Sequence, residues 1–131
     1  MGVVYYANFF VWFEIGRVEL MRSLGFDYRE IEEHAQCFLP VVEANCRYKS
    51  PARYDDLLTL ETRVLNQRTS MIRFGYRLLR PTPEGELVLL AEGETVHVVV
   101  DRAMQKIPLP ERFAAALRGM IGVRQQEAVS S

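Results

Sequence analysis

At 131 residues the chain suits one domain with a sizeable core and is short for two. Its 16 lysines and arginines against 17 aspartates and glutamates leave a formal net charge of -1, which favours neither a phosphate backbone nor an anionic membrane over small-molecule work. No run approaches the roughly 18 apolar residues needed to span a bilayer, and no basic region leads into a cleavage site, so a soluble, cytoplasmic protein is expected.

Residues 7–24 read as one long helix, with Gly25 where a left-handed cap is favoured. Its first half, with Phe9, Phe10, Val11, Trp12, Phe13 and Ile15, is apolar nearly all round and is expected to be buried on most sides. A sheet wrapped about this helix is the economical way to cover it. Residues 27–34 read as a short helix that Asp27 can cap. From Val42 the period changes to two. Val42, Ala44, Cys46 and Tyr48 alternate with Glu43, Asn45, Arg47 and Lys49 as a half-buried strand.

Residues 50–56 form a turn, with Pro51 breaking the ladder. Leu58, Leu60, Thr62 and Val64 continue the alternation, as do Ile72, Phe74, Tyr76 and Leu78. Turn residues lie at 66–70 and 81–85. A last long strand is predicted over 87–100 and a short helix over 109–117 after the Ile107-Pro108-Leu109-Pro110 break. Residues 123–131 read as a polar, frayed tail. The order is helix, then four strands joined largely by hairpins.

Only two cysteines occur. Cys37 and Cys46 lack metal or disulfide spacing and are expected as reduced thiols, with Cys46 in the core. His34 and His97 are too far apart for a local metal pair, and His97 reads as a satisfied interior or interface histidine. Glu14 is the carboxylate in the apolar half of the long helix. A buried acid needs a partner, and Arg17 three residues on can supply it. An ion pair is therefore the first reading of Glu14, and a catalytic acid or base the second. Glu43 reads as a strand-face residue.

The opening run Gly2-Val3-Val4-Tyr5-Tyr6-Ala7-Asn8 resembles the signature of hotdog-fold acyl-CoA thioesterases of the 4-hydroxybenzoyl-CoA type. The Glu14 to Arg17 spacing, the Pro40-Val41-Val42 strand start, the Ala52-Arg53-Tyr54-Asp55-Asp56 turn and the Leu58-Thr59-Leu60-Glu61-Thr62 strand add to the resemblance. It extends from Gly2 to about Phe113. The resemblance implies an α+β hotdog fold, with an antiparallel sheet around a long central helix in a single domain at 1–122, before a polar tail at 123–131. It also implies hydrolysis of an acyl-CoA thioester to free acid and CoA, with no cofactor and no metal. Partners would be the acyl-CoA substrate and further copies of the chain, as a homodimer or homotetramer, with no nucleic acid.

In the family a strand and a catalytic aspartate precede the motif. Both are expected to lie before Met1, making the chain as written a shortened form of weak or no activity. On the same resemblance the backbone N–H of Tyr6, which stands where some members carry histidine, polarises the thioester from the helix start. Glu14 is the second catalytic candidate. Gly2, Val4, Tyr5 and Asn8 are expected against the substrate, Asn8 having a helix-capping alternative. Lys49, Arg53 and Arg68 are expected to meet the phosphates of CoA, with Arg73 a further candidate. A reading of another class is a non-catalytic module that binds acyl-CoA or serves as an oligomerisation unit. A hotdog dehydratase fits less well, because neither histidine stands in the context those enzymes use.

Overall fold

The computed structural model describes residues 8–53 and 56–130. Helix α1 spans Asn8–Ser23 and buries Phe9, Trp12, Phe13, Gly16, Leu20 and Met21, the three-and-four spacing of one helix face. Gly25 ends it at φ +84°, with the Phe26 N–H donating to the Met21 carbonyl at 3.0 Å. That geometry suits a residue without a Cβ. Helix α2, Tyr28–His34, starts at Asp27, whose carboxylate accepts from the Arg29 N–H at 2.9 Å.

Five strands follow: β1 Val41–Tyr48, β2 Leu57–Arg68, β3 Met71–Pro81, β4 Leu87–Val98 and β5 Gln125–Ser130, with helix α3, Glu111–Gly119, before the last. They form one antiparallel sheet in the order β1-β4-β3-β2-β5. The β3–β4 hairpin turns at Gly85, φ +87°. Alternation of buried side chains sends Leu60, Thr62 and Val64, then Ile72, Phe74, Tyr76 and Leu78, towards α1. Glycines permit the close contact between the helix and the sheet. A methyl group on Gly16 would overlap the Thr62 hydroxyl, and one on Gly93 would overlap the Phe13 ring and the Asn45 carbonyl. Helix α3 closes the far side of the core through Phe113, Ala114 and Leu117, with Phe113 edge-on to Phe26 at 4.3 Å.

This is the α+β arrangement that the sequence predicts, with four corrections. Residues 125–130 do not fray: they pair with β2 from Leu57↔Ser130 to Thr62↔Gln125, and Val129 reaches the core. Strand β1 is not half buried. It is an edge strand exposed along nearly its whole length. The outer face of α1 is likewise open, with Phe10, Val11 and Ile15 at 37%, 53% and 40% exposure. Cys46 on β1 is only partly covered rather than in the core, while Cys37 is buried.

Candidate active site

Helix α1 runs antiparallel to β1, since Phe9 meets the Tyr48 ring at 4.9 Å while the chain before β1 lies towards the other end. Beside the C-terminal two thirds of α1 a cavity of about 770 Å³ opens between that helix, α2, the 38–40 segment and the 101–104 loop. Val18, Phe26, Phe38, Leu39, Pro40 and Met104 give it an apolar lining, while Glu14, Arg17, Tyr28 and His97 bring polar groups to the same wall. An apolar hollow with a few convergent polar groups is what a small-molecule site requires.

The polar groups are ordered by one hydrogen-bond relay. Arg17 donates to the Tyr76 hydroxyl at 3.3 Å; Tyr76 and Thr95 hydroxyls lie 2.6 Å apart; Thr95 lies 2.9 Å from His97 Nε2; and His97 Nδ1 lies 3.0 Å from the Leu39 carbonyl. Only one direction satisfies every member. Arg17 cannot accept and the Leu39 carbonyl cannot donate, so Tyr76 donates to Thr95, Thr95 to Nε2, and Nδ1–H to Leu39. Burial, with Arg17 adding to it, lowers the His97 pKa to about 4, which keeps the ring neutral as the relay demands. Burial pushes the Tyr76 phenol up to about 12 and raises Tyr28 as well. Burial works against the Arg17 charge, but Tyr76, Tyr28 and Glu14 together outweigh it and leave Arg17 above its ordinary value.

The expected Glu14–Arg17 ion pair does not form. Glu14 is exposed and lines the cavity, while Arg17 turns inward to Tyr76. The i, i+3 spacing puts both on one side of α1, and the buried phenol captures the cation. Asn8 is exposed at the first turn of α1, and Lys49 lies at the same end of the molecule, next to Tyr48. Arg53 sits in the β1–β2 connection, its backbone N–H donating to Asp56 at 2.9 Å. Arg68 is at the opposite end, where β2 turns into β3.

None of Lys49, Arg53 and Arg68 lines the cavity; the cations that do are Arg17, Arg22 and Arg102. Gly2, Val4, Tyr5 and Tyr6 lie outside the described residues. His97 is the satisfied interior histidine expected. Tyr28 and Arg102 line the cavity without being candidates from sequence: nothing in the short helix singles out Tyr28, and Arg102 follows the last strand with no motif to mark it. Among the described residues no cluster of three or more His, Cys, Asp or Glu could hold a metal ion.

Comparison with known proteins agrees with this geometry. The family model described as the thioesterase-like superfamily matches residues 1–117. The YneP protein of Bacillus subtilis is 35% identical over 102 residues, covering 78% of this chain and 70% of that protein. The acyl-CoA thioesterase YbgC of Haemophilus influenzae is 32% identical over 116 residues, covering 88% and 82% respectively. Among solved structures, a hypothetical protein from Thermus thermophilus superposes with a TM-score of 0.79 at 31% identity, covering 92% of this chain and 86% of its own.

Proposed function

The chain belongs to the thioesterase-like superfamily, and from that membership we infer that it hydrolyses acyl-CoA thioesters to free acid and coenzyme A, holding the acyl group in the cavity beside α1. The observation that carries the placement is the cavity itself: an apolar hollow whose wall presents the Glu14 carboxylate and the Arg17 guanidinium from one side of one helix.

Glu14 is exposed, so it meets the water that hydrolysis consumes. In this reading water adds to the thioester carbonyl carbon as its proton passes to the Glu14 carboxylate. The tetrahedral oxyanion collapses, the carbon–sulfur bond breaks, and the proton on Glu14 goes to the departing thiolate. The Tyr6 backbone N–H, by resemblance, stabilises the oxyanion from the start of α1. By the same resemblance, Gly2, Val4, Tyr5 and Asn8 are the residues proposed to meet the substrate. Lys49 and Arg53 at the end where α1 starts and Arg68 at the other are the cations proposed for the CoA phosphates.

A homodimer or homotetramer belongs to the same proposal. The unpaired edge of β1 exposes Val41, Val42 and Tyr48, and the outer face of α1 exposes Phe10, Val11 and Ile15, surfaces that pairing of two copies would cover. A cytoplasmic location is also proposed: both cysteines are free thiols, which fits a reducing compartment. No helix among the described residues is long and apolar enough to cross a membrane.

Release of free thiol from a panel of short aliphatic, long aliphatic and aromatic acyl-CoAs tests the activity. A catalysed rate on at least one class is expected. No thiol above the uncatalysed rate from any of them, with this chain and with a form extended through any in-frame codons upstream of Met1, would overturn the assignment.

A further inference from the structure

Two groups on the cavity wall keep hydrogen-bonding capacity that the described residues do not fill. Arg17 is only partly exposed, yet among the described residues no carboxylate lies within ion-pair distance of it, and one neutral acceptor, the Tyr76 hydroxyl at 3.3 Å, takes one of its five N–H donors. The Tyr28 hydroxyl is buried without a hydrogen bond of good geometry, although it lies within electrostatic reach of Arg17. Both residues line the same cavity. Half-buried cations and buried hydroxyls are costly unless well paired, so a guanidinium with donors to spare beside a phenol without a full hydrogen bond, both facing one hollow, suits an incoming acceptor.

We propose that Arg17 and Tyr28 form a carboxylate-recognition site in this cavity, so that the preferred substrates are CoA monothioesters of short dicarboxylic acids. The proposal rests on the cavity being the acyl site. A guanidinium edge beside a phenolic O–H offers several donors to the two oxygens of one carboxylate. Glu14 and Arg17 stand three residues apart on α1, about 5–6 Å between their Cβ atoms, so a short acyl chain spans from a thioester at Glu14 to a second carboxylate at Arg17.

The other charges around the cavity are spent or solvated. Asp27 caps α2 and Asp101 accepts from the Ala103 and Gln105 N–H groups at 2.9 and 3.0 Å. Arg22 pairs with Glu19 at 2.6 Å, while Arg102 is bonded to Gln36 and lies over the Phe38 ring. Glu14 and Glu32 are exposed, where water screens their repulsion of an incoming anion.

The test compares kcat/KM for glutaryl-CoA and valeryl-CoA, equal in carbon number and different in the terminal carboxylate, in the wild type, Arg17→Met and Tyr28→Phe. Charge-assisted hydrogen bonds of this kind correspond to about tenfold to hundredfold. The wild type is expected to favour glutaryl-CoA by at least about tenfold; Arg17→Met collapses that ratio towards one and Tyr28→Phe lowers it several-fold. A wild-type ratio at or below one, or a ratio that Arg17→Met leaves unchanged, overturns the proposal. If Arg17→Met does not fold, Tyr28→Phe decides, because it removes one oxygen and keeps the ring. If neither thioester is cleaved, the hydrolase reading fails separately. The carboxylate site is then judged by thermal shift with free glutarate against valerate: stabilisation of the wild type by glutarate alone, absent in Tyr28→Phe, sustains it, and no shift refutes it.

Discussion

His97 Nε2 and the Thr95 hydroxyl lie 2.9 Å apart, two residues apart on the inward face of β4, and this bond commits the ring to the Nδ1–H tautomer that donates to Leu39. A protonated ring would turn Nε2 into a second donor and reverse the relay against Arg17. The His97 pKa of about 4 lies below the ordinary 6.5 because of burial, which Arg17 reinforces and the Leu39 hydrogen bond only partly opposes. A depressed histidine pKa means that the unfolded chain takes up the proton first. Its contribution is therefore complete above about pH 6.5 and is lost as pH falls towards 4 and through it, up to about 3 kcal/mol in all. We expect the melting temperature of the wild type to fall more steeply between pH 6.5 and 4 than that of His97→Gln, whose amide does not titrate. Parallel curves would place the acid sensitivity elsewhere.

Gly16 lets α1 sit directly on β2, against Thr62. Ala normally gains about 1 kcal/mol over Gly inside a helix, but here the added methyl would overlap the Thr62 hydroxyl, and overpacking of that kind costs about 1–3 kcal/mol. Gly16→Ala is expected to lower stability by about 1–2 kcal/mol in urea unfolding. The Thr62 hydroxyl is itself buried without a partner, so Thr62→Ala removes the obstacle at little cost, and Gly16→Ala with Thr62→Ala should recover most of the loss. Simple addition of the two single effects would mean that they do not share this contact.

Much of the fold was legible because it depends on period and punctuation. The switch from helical spacing before Leu24 to alternation after Val42, the αL position of Gly25 and the Asp27 cap are all local, and each stands where the sequence predicts it. What failed was set by distant neighbours. Glu14 and Arg17 look like a pair on a helix wheel, yet Tyr76, fifty-nine residues on, takes the arginine. The β1 pattern alternates as a half-buried strand does, but its order at the edge of the sheet is a property of topology. Residues 125–130 carry polar side chains that match a tail. They form a strand because the β2 edge is open to them and Val129 finds the core. Of the site, Glu14 was visible as an isolated acid, whereas Tyr28 and His97 join it only through the fold.

Glu61 is the polar anchor between the inner sheet and β5. It is buried, and accepts from Arg77 at 3.2 Å and from the Gln126 side chain at 3.2 Å, with Arg124 at 3.9 Å. Removing the shared acceptor leaves Arg77 partly buried and unpaired. Glu61→Ala is expected to cost about 2 kcal/mol, and Glu61→Gln about half of that because an amide oxygen still accepts. Hydrogen exchange should quicken first across 125–130, the strand held at this point. Uniform acceleration over all five strands would show instead that β5 unfolds only with the rest.

Glu14 separates chemistry from stability. It is exposed on α1, and its neighbour Arg17 is held by Tyr76, so replacing its carboxylate by an amide removes charge and basicity without opening the core. Surface changes of this kind shift stability by about 0.5 kcal/mol or less, whereas loss of a general base lowers turnover by about 10²–10⁴. Glu14→Gln is therefore expected to melt with the wild type and to lose at least about a hundredfold in kcat on the best acyl-CoA, while Glu14→Asp retains part of the rate. If the acyl group is held by the opposite wall and by Arg17, as proposed, KM should change far less than kcat. A Glu14→Gln protein that turns over within twofold of the wild type would remove Glu14 from the chemistry and leave water activation to a group outside this cavity.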